Sequence, residues 1–119
     1  MWQIKILEEA RKDYRKLDRS LRRQILSGIK KVSTNPLPKS MGGYGKPLGS
    51  KKSLNLTGFF KIKYRGIGVR VVYTLVRKSK VMNIAAISTR GNRFCYKLAG
   101  KRKQKYGDDV FKDSFKPIW

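Results

Sequence analysis

The chain of 119 residues contains no histidine, one cysteine (Cys95) and only seven carboxylates. Glu8, Glu9, Asp13 and Asp18 lie near its start and Asp108, Asp109 and Asp113 near its end; from Arg19 to Gly107 there is none. These absences exclude whole classes of chemistry. Zinc, magnesium and calcium sites need clusters of His, Cys or carboxylate ligands, so neither a metal nor a cofactor is expected. Without histidine there is no Ser-His-Asp or Cys-His triad. Carboxylate or imidazole acid–base catalysis is excluded from the middle of the chain. A single cysteine forms no internal disulfide and suits a reducing cytosol, so a cytoplasmic protein is expected. No apolar run approaches the roughly 18 residues of a membrane-spanning helix. The first seven residues are too short and too soon acidic for a signal peptide.

What the chain has is positive charge. Thirty Lys and Arg give a net charge of +23, alongside 39% hydrophobic and 11% aromatic residues. That much apolar material supports one folded domain rather than a disordered basic tail. The charge calls for a polyanionic partner. Nucleic acid comes first, because neutralising phosphates releases counterions. An anionic membrane surface comes second. An acidic protein comes third and does not compete with the first.

Residues 2–7 alternate Trp2, Ile4 and Ile6 with polar neighbours, the pattern of a half-buried strand. Glu8 and Glu9 open a helix carrying Ala10, Tyr14 and Leu17 on one face. Asp18 or Ser20 can cap a second helix, in which Leu21, Ile25, Ile29 and Val32 recur. It ends by Asn35-Pro36. Two such helices make an αα-hairpin. Residues 34–53, with three prolines and four glycines, read as a loop. Strands are expected at 54–57, 59–65, 69–77 and 80–87, and a short helix at 93–105. Residues 107–119 form an extension of different character: three acids with Phe111, Phe115, Ile118 and Trp119. The expected class is α+β: an N-terminal strand, an αα-hairpin, antiparallel strands in one twisted sheet with helices on one face, and a short C-terminal helix.

Lys61 and Lys63 lie two apart on a strand and point the same way. A two-residue turn at Gly66-Ile67 suits type II′ and pairs residue 63 with 70, setting Arg70 beside Lys63. A three-residue turn would put Arg70 on the Tyr64 face instead. Arg90 follows the last strand, and Tyr96 lies near the start of the terminal helix. Such a cationic sheet with an aromatic at its edge can grip a phosphate and stack a base. By itself this describes a nucleic-acid surface, not an enzyme.

These residues resemble a known family. Phe60-Lys61-Ile62-Lys63-Tyr64-Arg65, Gly68-Val69-Arg70-Val71-Val72-Tyr73 and Ile87-Ser88-Thr89-Arg90 through Tyr96 look like the RelE branch of the RelE/ParE toxins of bacterial toxin–antitoxin pairs. The helix Ala10 to Asp18 and the ending at Asn35-Pro36 fit as well. The resemblance covers roughly residues 1–105 and implies a single toxin domain over 1–106, leaving 107–119 as an extension. It implies a metal-independent endoribonuclease that cuts messenger RNA in the decoding site of the ribosome. Lys61 and Lys63 would be the paired lysines, one of them the base toward the 2′-hydroxyl. Arg70 would stabilise the phosphate in the transition state. Arg90 would do the same or protonate the leaving oxygen, and Tyr96 would stack on a base. Further contacts to RNA and ribosome would come from Arg22, Arg23, Lys30, Lys31, Lys51, Lys52, Arg65, Lys101 and Arg102. The implied partners are mRNA on the ribosome, ribosomal RNA and an acidic antitoxin, with no membrane and a monomeric free toxin.

The casting is physically reasonable. RNA brings its own nucleophile, and clustered cations favour a doubly charged transition state. A lysine among like charges gives up its proton more readily. The stretch Gly91–Cys95 lacks the acid many relatives place there. Two other functions would explain the charge: a gyrase-inhibiting toxin of the ParE branch, and a basic RNA-binding or ribosome-associated protein without catalysis.

Overall fold

The alternation after Trp2 forms strand β1 (Gln3–Ile6), which buries Ile4 and Ile6. Helix α1 (Glu8–Arg15) follows at once, with both glutamates in its first turn where the helix dipole favours them. Helix α2 (Arg19–Ser33) is capped by Asp18, whose carboxylate accepts the Leu21 N–H at 2.8 Å. Ile25, Ile29 and Val32 are buried along α2. The αα-hairpin is therefore as expected. The computed structural model describes residues 1–51 and 54–118. Lys52, one of the cations expected to meet RNA, lies outside the described residues, as do Ser53 and Trp119.

The rest of the sheet is built from β2 (Lys46–Lys51), β3 (Leu54–Tyr64), β4 (Val69–Val76), β5 (Val81–Ser88) and the short β6 (Lys116–Pro117). The strand order is β2-β3-β4-β5-β1-β6. β1 runs parallel to β5, and the other pairings are antiparallel. Helix α3 (Asn92–Tyr106) follows β5 and leads into a 3₁₀ turn, Gly107–Phe111. The α+β class and the single sheet match expectation.

Three details differ from the sequence reading. The presumed loop 34–53 contains a 3₁₀ turn at Lys39–Met41 and strand β2. Pro47 and Gly49 hide that strand, and proline is tolerated there because β2 is an edge strand, its register shifting between them. The two expected strands 54–57 and 59–65 are one, since Gly58 continues the chain at a φ of 89° with the Phe111 ring against it. The extension supplies β6 and packs against the domain. Val110 is buried; its carbonyl accepts from Thr74 Oγ1 and from Asn83 Nδ2.

The expected helices on one face are corrected by α2 and α3 lying on opposite faces of the sheet, which cover its centre from both sides, so all eight residues of β5 are buried. On one face the Tyr64 hydroxyl donates to the Ile25 carbonyl of α2 at 2.6 Å. Residues of opposite parity, Lys61 and Arg70, reach α3 on the other. The cationic face is thus left open mainly at β3 and the adjoining end of β4.

One cation expected to meet RNA is held in the interior instead. Arg102 is buried, and its guanidinium grips the Asp13 carboxylate through two bonds, at 2.6 and 3.1 Å. A side chain committed to an interior ion pair is not available to a surface phosphate.

Candidate functional site

The register places the cations. Lys63 pairs with Arg70, and Tyr64 with Val69, the register expected, with the four residues Arg65, Gly66, Ile67 and Gly68 forming the turn between them. Gly66 and Gly68 both take positive φ in this turn, at 85° and 68°. Arg70 in turn pairs with Ser88 of β5. Lys63, Arg70 and Ser88 therefore form one row across three strands, on one face of the sheet. Lys61 stands two residues along β3 on the same face. Across the edge it pairs with Lys46 of β2.

Helix α3 closes over one end of this row. Arg70 donates its Nε–H to Asn92 Oδ1 at 2.6 Å and an Nη1–H to the Val69 carbonyl at 3.1 Å. The Asn92 contact orients the guanidinium. Nothing in the sequence pattern marks Asn92, whose only visible trait is its place at the start of the helix. Lys61 Nζ donates to the Tyr96 hydroxyl at 3.3 Å. Tyr96 itself is 9% exposed and packed in the core. It offers its hydroxyl rather than its ring, so the stacking role expected for it does not fit this arrangement. Next to it, Cys95 is fully buried, and burial pushes its thiol up to about 12. It packs; it is no activated thiolate.

Arg90 lies two residues beyond Ser88, at the same end of the sheet, and is exposed. Its guanidinium sits over the Phe94 ring, 4.3 Å from the centroid, which restricts it without neutralising it. Phe94 had no assigned role in the sequence, although its spacing of four from Arg90 is a usable signal.

No ion pair among the described residues joins a carboxylate to Lys61, Lys63, Arg70 or Arg90. Glu9 accepts from Lys105 and Tyr106, Asp13 from Arg102, and Asp113 from Lys5. Asp109 pairs with Lys112. The positive field at the site is left for a ligand to balance. Its effect is visible at Lys46, whose ammonium is held below the usual lysine range, chiefly by the charge of Lys39, then by burial, Arg65, Lys61 and Lys63.

Arg23, Lys30, Lys31, Arg65 and Lys101 are exposed as expected of outer contacts, and Arg22 is half-buried on α2. Lys51 ends β2. Lys31, Lys39, Tyr44 and Lys46 line a cleft of about 340 Å³ that runs to Lys61 and Lys63.

No protein-family model matches the chain. A RelE-like toxin protein of Escherichia coli is 29% identical over 101 residues, covering 85% of this chain and 96% of the relative. The isolated E. coli RelE toxin has a similar structure, with a TM-score of 0.62 at 24% identity, over 86% of this chain and 98% of that one. RelE in the intact E. coli RelBE toxin–antitoxin complex gives 0.58 at 23%, over 77% and 100%. The resemblance first read from the strand motifs is thus met by a sequence relative and by a shared fold.

Proposed function

We propose that this RelE-like chain is the toxin of a toxin–antitoxin pair and a ribosome-dependent endoribonuclease. The observation that carries the proposal is the row Lys63–Arg70 with Lys61 beside it, on an open sheet face where no carboxylate of the described residues pairs with them.

The chemistry follows from what these groups can do. The 2′-hydroxyl of the RNA attacks the adjacent phosphorus. The new P–O2′ bond forms as the P–O5′ bond breaks, leaving a 2′,3′-cyclic phosphate and a 5′-hydroxyl. One lysine, in its neutral form, takes the 2′-hydroxyl proton; Lys61 and Lys63 are the candidates. The other, as an ammonium, is a better donor to the departing O5′ than an arginine, whose proton is held too tightly. Arg70 and Arg90 then act electrostatically, stabilising the extra negative charge of the pentacoordinate phosphate. Asn92 and Phe94 hold these two guanidiniums in place. The Tyr96 hydroxyl fixes the position of Lys61 Nζ.

So sparse a site does little to orient a flexible strand. Presentation of the message by the ribosome supplies that orientation. The exposed cations Arg23, Lys30, Lys31, Arg65 and Lys101 suit ribosomal RNA phosphates, with Lys51 and Lys52 as further candidates. The +23 charge equally suits an acidic antitoxin. The relatives' complex with RelB supports such a partner.

The test is a reconstituted translation system with one defined message. Purified protein should cut the message on ribosomes and leave the same naked RNA largely intact. An intact message together with inhibited DNA supercoiling would favour a ParE-like toxin instead.

A further inference from the structure

The aromatic expected to stack on a base, Tyr96, is buried; a different tyrosine is open. Tyr44 is 47% exposed and lies in the cleft that leads directly to Lys61 and Lys63. We infer that Tyr44 is the stacking platform of a nucleotide subsite next to the reacting phosphate. The lysines Lys31, Lys39 and Lys46 would bind the RNA backbone there. The inference deepens the ribonuclease reading and rests on it for the identity of the strand.

The position comes from the fold. β2 begins at Lys46, opposite Lys61, so β3 runs on past its neighbour as an open edge from Ile62 to Tyr64. The cleft lies along that edge, between α2 and the 39–46 segment. Its volume, about 340 Å³, falls within the usual range for small-ligand pockets.

Tyr44 is held in place from behind. Its N–H donates to the Asn35 carbonyl at 2.9 Å, and the next N–H, of Gly45, donates to the Leu37 carbonyl at 2.9 Å. The Gly45 carbonyl accepts from Lys39 N–H at 3.1 Å, and Pro38 and Gly45 form a parallel bridge. A large apolar ring held out to solvent on a pinned segment costs little further entropy when a base stacks on it. The Lys31 ammonium sits over the ring at 5.5 Å, a cation–π contact that a stacked base can extend.

The charge points to an anion. Lys39, Lys61, Lys63 and Arg65 together disfavour the charged form of Lys46. Crowding of this kind is relieved by a phosphate. An aromatic that is sequence-tolerant in stacking, set among cations that follow a backbone, suits single-stranded RNA.

The experiment measures binding of the full chain to a short 2′-O-methylated RNA, which cannot be cut. An abasic unit is placed at each position in turn. With wild type and Tyr44→Phe, removing one particular base should weaken binding by about tenfold. With Tyr44→Ala, removing that same base should change nothing further. An equal loss in Tyr44→Ala, or no position with a loss in wild type, overturns the inference. A short polyglutamate peptide whose affinity depends on Tyr44 to the same extent would also overturn it, assigning the cleft to an acidic protein segment. Cleavage on ribosomes is scored separately. An intact message with the Tyr44–base dependence present defeats the ribonuclease reading alone. Cleavage without that dependence defeats the subsite alone.

Discussion

Asp13 and Arg102 together take over where β1 stops pairing with β5. The parallel ladder ends at Ile6 and Ile84, with the Leu7 N–H on the Ile84 carbonyl. Beyond it the β5 register against β4 shifts, and two backbone groups turn to side chains. The Ala85 carbonyl accepts from Arg102 at 2.9 Å, and the Ile87 N–H donates to Asp13 at 3.1 Å. One ion pair thus joins α1 to α3 and satisfies the strand that leads to Arg90. Removing one partner strands a buried charge. Arg102→Met and Asp13→Ala should each destabilise the fold by about 3 kcal/mol, and the double variant by clearly less than the sum. Urea unfolding checks this; strict additivity would mean that the pair acts as two separate contacts.

Arg70 depends on Asn92 for its aim. Asn92→Ala should slow single-turnover cleavage by about tenfold, and Arg70→Ala by about 100-fold, with ribosome affinity largely kept. The double variant should be no slower than Arg70→Ala. An independent tenfold loss in the double variant would show that Asn92 acts on its own.

Glu9 ties α1 to α3 by accepting from Lys105 at 2.6 Å and from the Tyr106 hydroxyl at 2.7 Å. Burial pushes its carboxyl up, but these hydrogen bonds outweigh it and hold the group below its ordinary value. The folded state therefore binds this proton less tightly than the unfolded chain. Its stabilisation is present above about pH 4.5 and fades as the pH falls further. Thermal melts of wild type and Glu9→Gln should differ by a constant amount near neutrality and converge in acid. A gap that widens on acidification would refute the assignment.

The C-terminal extension is anchored through Val110, through Asn83 bonds to the Val110 and Lys112 carbonyls at 3.1 and 2.9 Å, and through the Lys5–Asp113 ion pair. Val110→Ala should cost about 2 kcal/mol. Deleting 107–119 should cost more, since it also uncovers Phe59, against which Phe111 packs at 5.6 Å. Chemical denaturation would decide. An unchanged midpoint after deletion would make the segment an appendage.

Much of this architecture was legible in the sequence because local rules and tertiary needs agreed. Asp18, one of the two candidate caps beside Ser20, caps its helix, and the turn at Gly66 goes with the register that brings Lys63 to Arg70. What was illegible depended on distant partners. Arg102 looks like any surface cation until Asp13, 89 positions earlier, lies beside it. Tyr96 and Tyr44 are both tyrosines near basic residues. Only packing under α3 buries the first, and only the pinned 35–45 segment presents the second. β2 carried no alternating pattern because Pro47 and Gly49 interrupt it, and its pairing with β3 supplies what propensity lacks.

The central claim is that these cations cleave RNA using the substrate's own hydroxyl. The most direct measurement analyses the ends of a message cut on ribosomes by the wild-type chain, with and without a 2′-deoxy unit at the cut nucleotide. The account predicts a 2′,3′-cyclic phosphate and a 5′-hydroxyl, and no cleavage of the deoxy message. A 3′-hydroxyl with a 5′-phosphate, or undiminished cutting of the deoxy message, would contradict it.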